Sequence, residues 1–151
     1  MPSVYRLGRD DLPLFRATNA IFSDAFDEPE QYSNHKPEDA YARRWLANPD
    51  NIAVIASLGG KVVGALAAYI LHKFEQDRCE IYIYDLAVCE AARRQGVATA
   101  LIEETRRIAR AAGASTIFVQ ADTGADDAPA QALYRTLARE EIIALHFDIA
   151  P

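Results

Sequence analysis

Glu80-Ile81-Tyr82-Ile83-Tyr84-Asp85-Leu86-Ala87-Val88, followed after a short break by Arg93-Arg94-Gln95-Gly96-Val97-Ala98, decides the fold. The first run is β-branched and aromatic, which predicts a central strand covered on both faces. Beyond the break, Val97, Leu101, Ile108 and Ala112 recur at helical spacing from about Gly96 to Ala112, and Gly113 supplies the stop. The order is therefore strand, basic loop, amphipathic helix.

Toward the N-terminus, residues 52–56 and 62–71 read as two antiparallel strands. Gly59 and Gly60 between them provide the positive φ of a tight hairpin. Before that pair, residues 4–7 predict a short strand, and Asp10 or Asp11 caps a helix carrying Leu12, Leu14, Phe15, Ala20, Ile21 and Phe22. Acidic and turn-forming residues 24–37 predict a loop. A second helix begins at Pro37-Glu38-Asp39, with Tyr41, Trp45 and Leu46 on one side. Toward the C-terminus, residues 116–120 predict a buried strand, 129–137 a short helix and 142–147 a final strand. These elements assemble as a single α+β domain over 1–151, a mixed, mostly antiparallel sheet with helices on both faces.

Half of the 151 residues are hydrophobic, enough to bury one core. The net charge of −6 argues against nucleic acid, whose phosphates need a basic face, and is compatible with a cationic substrate, although many soluble proteins are mildly acidic simply for solubility. Met1 to Arg6 lack a basic segment followed by an apolar run, and no stretch stays apolar long enough to cross a bilayer. The expectation is a soluble, cytoplasmic protein without a membrane partner. Cys79 and Cys89 fall at opposite ends of one predicted strand, too far apart to bridge within it, and two thiols are too few for a structural zinc site. His35, His72 and His146 show no metal-ligand spacing, so no metal is expected.

A diphosphate must be held by donors, and a helix start offers unpaired N–H groups and a favourable dipole. Here Gly96 and Ala98 let the backbone approach such a group, while Arg93 and Arg94 add positive charge; otherwise the two arginines solvate a loop. Arg93-Arg94-Gln95-Gly96-Val97-Ala98 matches the coenzyme-binding motif Gln/Arg-x-x-Gly-x-Gly/Ala, and on it the chain resembles the GCN5-related N-acetyltransferases (GNAT). The likeness narrows to the type I aminoglycoside 3-N-acetyltransferases, or gentamicin acetyltransferases. It does so through residues 73–76, 80–88, 98–102, 119–122 and 146–149, with 25–30 near the start.

What the resemblance implies is a GNAT fold whose sheet splays open after Val88 between two parallel strands. The backbone of Leu86, Ala87 and Val88 would then pair with the pantetheine arm of acetyl-coenzyme A. Arg93, Arg94, Gln95, Gly96, Val97, Ala98 and Thr99 would hold its pyrophosphate. The implied reaction is direct attack by a neutral amine on the thioester, acetylating the 3-amino group of a 2-deoxystreptamine aminoglycoside and giving antibiotic resistance. A homodimer using the final strand or an edge is also implied. Alternatives are a polyamine or other small cationic amine as acceptor, and a non-catalytic acyl-coenzyme A-binding module.

Strand alternation places Asp85 with Ile81, Ile83 and Ala87, opposite Tyr82, Tyr84 and Leu86. An acid in so apolar a run needs an explanation: a base, direct or through water, an anchor for a substrate ammonium, or a structural hydrogen bond to backbone. Tyr134, in Leu133-Tyr134-Arg135-Thr136-Leu137, matches the family's Leu-Tyr-x-x-Leu helix, whose phenol protonates the departing thiolate; packing is the other reading. Asp27, Glu28, Glu75, Asp122, Asp126 and Asp127 lie in predicted loops suited to a polycationic aminosugar, beside Tyr84 and Asp85, or else are solvated surface acids. The chain departs from the family in a longer connection over 123–129 and in Ala138, where a glycine normally stands.

Overall fold

The computed structural model describes residues 1–151, which divide into two compact units, Met1–Phe118 and Val119–Pro151. In the first unit the elements run β1 (Ser3–Arg6), α1 (Leu12–Phe26), α2 (Pro29–Tyr32), α3 (Asp39–Ala47), β2 (Asn51–Leu58), β3 (Lys61–His72), β4 (Cys79–Val88) and α4 (Val97–Ala112). The fifth strand, β5 (Ala114–Val119), follows, and α5 (Ala128–Leu137) belongs to the second unit.

The strands form one sheet in the order β1-β2-β3-β4-β5, antiparallel as far as β4. Ser115 donates its hydroxyl to the Cys79 carbonyl at 3.2 Å and Phe118 stacks on Tyr82 at 4.6 Å, so β5 follows β4 at one constant offset and runs parallel to it. At that offset β5 gives out before Asp85. Gly59 and Gly60, with φ of 57° and 80°, close the β2–β3 hairpin as their sequence requires.

Helices α1 and α3 cover one face of the sheet, where Ile21 and Phe22 meet Ala65, Ala67 and Ala87, and Leu46 meets Ala53 and Ile55. Helix α4 packs on the other face. Its residues Val97, Leu101, Ile102, Thr105, Ile108 and Ala109 are buried along one stripe, and ion pairs Glu103–Arg106 and Glu104–Arg107 lie on the outside. Gly113, at φ 69°, ends it in a left-handed cap. Where α4 crosses β3 the contact needs a glycine. A Cβ on Gly64 would lie 2.6 Å from Val97 Cγ1.

Several expectations are corrected in detail. Helix α1 runs on to Phe26 and a single turn, α2, forms at Pro29–Tyr32, inside what reads as a loop. Asp11 stands at the start of α1, but its carboxylate makes no cap there; it accepts instead from the Gly8 N–H at 2.7 Å and the Tyr5 hydroxyl at 2.9 Å. Strand β5 is only half-buried, not a core strand. The final strand expected over 142–147 does not form. Residues 138–151 have no regular structure and are exposed, including Ile142, Ile143, Leu145, Phe147 and Ile149, since no strand pairs with them. Both cysteines are free, and no helix is long and apolar enough to cross a membrane.

Candidate active site

The β3–β4 ladder slips by one residue at the site. Ala68 pairs with Ile83 but Ala67 with Asp85, so Tyr84 is an extra residue, a β-bulge. From Asp85 onward the alternation is inverted. Asp85 therefore shares the α1/α3 face with Tyr82, Tyr69 and Ala67, and Ile81 and Ile83 lie on the opposite, α4 face with Leu86. This corrects the alternation expected from sequence, which grouped Asp85 with Ile81 and Ile83, and it removes the anomaly of an acid in the core. Asp85 lines a pocket instead.

The Asp85 carboxylate accepts a 2.7 Å hydrogen bond from the Tyr32 hydroxyl. Partial burial pushes its pKa above the ordinary carboxylate range, the bond from Tyr32 pulls the other way, and the nearby charge of Glu28 raises it further. Net, the carboxyl is raised. The Tyr32 phenol is held protonated by burial and by donation to Asp85. Its ring packs against Phe22 and Phe26 at 5.8 and 5.7 Å, which fixes the hydroxyl over the strand.

The pocket is walled by rings: Phe15 and Phe22 from α1, Tyr32 from α2, Tyr41 and Trp45 from α3, and Tyr69 from β3. Trp45 and Tyr69 stand edge to face, 6.0 Å apart at 85°, and Tyr69 and Tyr84 repeat that arrangement at 6.1 Å and 84°. Tyr84 is largely exposed beside this row. Tyr32, Tyr41, Trp45 and Tyr69 were not singled out from sequence as site residues. They come from three elements distant along the chain, and the signal available was only that two of them, Tyr41 and Trp45, share a helix face.

At the start of α4, Gly96 adopts φ 77° and no side chain caps the helix, leaving the N–H groups of Val97, Ala98 and Thr99 as donors. Nothing lies within 4 Å of where a Gly96 Cβ would be, and Arg94 is itself at φ 61°. The turn is open and bent into a left-handed conformation, the form of an anion-binding nest. Arg93 Nε donates to the Val88 carbonyl at 3.4 Å, and Gln95 Nε2 to the Ala91 carbonyl at 3.1 Å, bracing the loop between β4 and α4.

Residues 17–138 match the Acetyltransferase (GNAT) family. The chain belongs to the GNAT acetyltransferases. Members of this family use acetyl-coenzyme A, and the bare helix start and its glycine turn fit the pyrophosphate of that molecule. An aminoglycoside acetyltransferase from an uncultured soil metagenomic sample is 48% identical, with 100% of this chain and 99% of that one covered and a TM-score of 0.96. A second soil metagenomic aminoglycoside acetyltransferase, in complex with sisomicin, is 28% identical over 99% of this chain and 97% of its own, with a TM-score of 0.84. An aminoglycoside 6′-N-acetyltransferase in complex with coenzyme A, at 18% identity, 99% and 95% coverage and a TM-score of 0.76, shares the fold. No curated protein matches the chain.

Among the remaining candidate residues of this GNAT acetyltransferase, Glu28 is close enough to Asp85 to act on its charge. Asp27 is the left-handed C-cap of α1, at φ 52°. Glu75, in the β3–β4 turn, is engaged by Arg78 at 2.6 Å and does not line the pocket. In the second unit the Asp127 carboxylate accepts from the Asp122 N–H at 2.8 Å and Gln131 ties the Asp122 carbonyl at 2.6 Å, while Asp126 stays exposed. Tyr134, on α5, is half-buried; burial, then the charge of Asp127, raises its pKa.

Proposed function

We propose that this acetyltransferase modifies an aminoglycoside, at the 3-amino group of a 2-deoxystreptamine such as that of gentamicin, and so gives resistance. The observation that carries the reading is Asp85: a carboxylate brought by a bulge into an aromatic pocket, at the end of β4 that continues past β5. The 48% identity over the whole chain to an aminoglycoside acetyltransferase supports the acceptor class, as does an excess of acidic over basic residues. We propose in addition a cytoplasmic homodimer that uses the C-terminal segment or a sheet edge as its contact.

Acetyl-coenzyme A supplies the acetyl group as a thioester. The N–H groups of Val97, Ala98 and Thr99, with Arg93, Arg94 and Gln95 in the Gly96 turn, bind its pyrophosphate, and the backbone of Leu86, Ala87 and Val88 lines up its pantetheine arm. Asp85, with a raised pKa closer to that of an amine, takes a proton from the acceptor ammonium directly or through water. The freed nitrogen lone pair forms the C–N bond, the C–S bond breaks, and the thiolate receives the phenol proton of Tyr134. Tyr84, Asp27 and Glu28 are the proposed acceptors for the other ammonium groups, with the acidic residues Asp122, Asp126 and Asp127 of the second unit as further candidates; Glu75, engaged by Arg78, is the weakest of the set.

The test is thiol release from acetyl-coenzyme A with gentamicin and sisomicin, with the acetylated nitrogen identified by NMR. Release at the 3-amino position is expected; none above background at high enzyme concentration overturns the proposal. The aromatic pocket also fits a polyamine, and preference for spermidine over every aminoglycoside would establish that second reading.

A further inference from the structure

We infer that Trp45, Tyr69 and Tyr41, with Asp85, form a cation cage that selects the acceptor by one of its ammonium groups. The inference rests on the acceptor being a cationic amine, as proposed above, and adds how it is recognised. Loop carboxylates are the recognition expected from sequence, yet Asp27, Glu28 and Glu75 do not line this pocket, and Asp85 is its one acid. The other charged-group ligand available is the π-face of a ring.

The geometry suits a cation. Trp45 and Tyr69 stand edge to face at 85° with centroids 6.0 Å apart, so their ring planes are perpendicular, and Tyr41 lines the same pocket. Ring faces carry the negative part of an aromatic quadrupole, and a pocket lined by a tryptophan and several tyrosines offers such faces to a cationic guest. Rings of this pocket already attract cations: the Arg44 guanidinium lies 5.7 Å from the Tyr41 centroid and that of Arg16 5.9 Å from the Phe15 centroid. Asp85 adds a carboxyl group to the same pocket, positioned by the Tyr32 hydroxyl that donates to it at 2.7 Å. A purely apolar guest would gain from the rings but nothing from the carboxylate.

Trp45 is the one tryptophan of the chain, so its fluorescence reports directly on this pocket. The probes are choline and its neutral carbon isostere 3,3-dimethylbutan-1-ol, titrated into the full-length protein. Choline is expected to shift Trp45 emission saturably, at concentrations roughly five- to thirty-fold below those needed for the alcohol. Y69L should erase that preference while still binding coenzyme A, which shows that it is folded; Y69F, which keeps the ring, should retain it. An equal response to the two probes, no saturable response to either, or a preference that survives in Y69L overturns the cage. The titration requires no turnover, so failure of sisomicin acetylation would remove the aminoglycoside reading and leave the cage standing.

Discussion

Gly64→Ala tests how the sheet positions the start of α4. The added Cβ would sit 2.6 Å from Val97 Cγ1, 3.3 Å from Leu101 Cδ1 and 3.4 Å from the Ala87 carbonyl oxygen. Carbon atoms pack at about 3.5–4.0 Å, so the first contact is short by roughly 1 Å. Val97 is only 2% exposed and β-branched, with one favoured rotamer in a helix, so it cannot swing away cheaply. Either the rotamer or the first turn of α4 must give. Overpacking of this kind costs about 1–3 kcal/mol, and for a chain of this length each kcal/mol lowers Tm by roughly 2–4 °C.

The expected loss on thermal denaturation is therefore roughly 2–12 °C. Because Val97, Ala98 and Thr99 sit on the displaced turn, coenzyme A should also bind more weakly by calorimetry. Val97→Ala removes the atom that is struck. In that background only the milder contacts with Leu101 and the Ala87 oxygen remain, so G64A should cost clearly less, a coupling that a double-mutant cycle measures. Equal destabilisation by G64A in both backgrounds would refute the account.

Asp85→Asn carries a pH signature. The carboxyl is raised in the folded chain, so the folded state holds its proton more tightly than the unfolded one, and that stabilisation is lost as pH rises through the folded value. D85N should therefore raise Tm more at mildly alkaline pH than well into the acid range, while acetylation falls; an equal gain at both would show that ionised Asp85 carries no cost. Gly96→Val places a β-branched residue at φ 77°, which costs about 1–3 kcal/mol without any clash inside the protein, and coenzyme A affinity should fall with it; unchanged affinity would separate the turn from the coenzyme. If the proposed homodimer uses the C-terminal segment, the unaltered chain should sediment as a dimer and Phe147→Asp, in that exposed segment, as a monomer; a monomeric parent would overturn the dimer, and a dimeric variant would remove Phe147 from its contact.

The elements legible from sequence were those with local causes. Gly59 and Gly60 demand a hairpin, and the stripe from Val97 to Ile108 ending at Gly113 demands a helix. Asp85 stood out because a lone acid in a β-branched run is costly. Its surroundings were not legible, since Ile81, Ile83 and Asp85 keep an unbroken alternation in sequence and nothing local marks Tyr84 as a bulge. The same holds for the pocket. Phe15, Trp45 and Tyr69 converge only through the pairing of β2 with β3 and the packing of α1 and α3, and Tyr32 lies on a single turn within an acidic stretch. Residues 142–147 have strand composition, but composition does not supply a neighbouring strand.

The extra residue at Tyr84 gives β4 two independent side-chain frames. Ile81 and Ile83 answer to α4 and to core volume; beyond the bulge, the frame that faces α1 puts Asp85 on the pocket and Ala87 against Ile21 and Phe22. A change of hydrophobic residue at Ile81 or Ile83 can be absorbed by repacking without turning the carboxylate, and a change at Asp85 leaves those two isoleucines where they are. The strand can thus vary in one half without disturbing the pocket wall that the other half supplies.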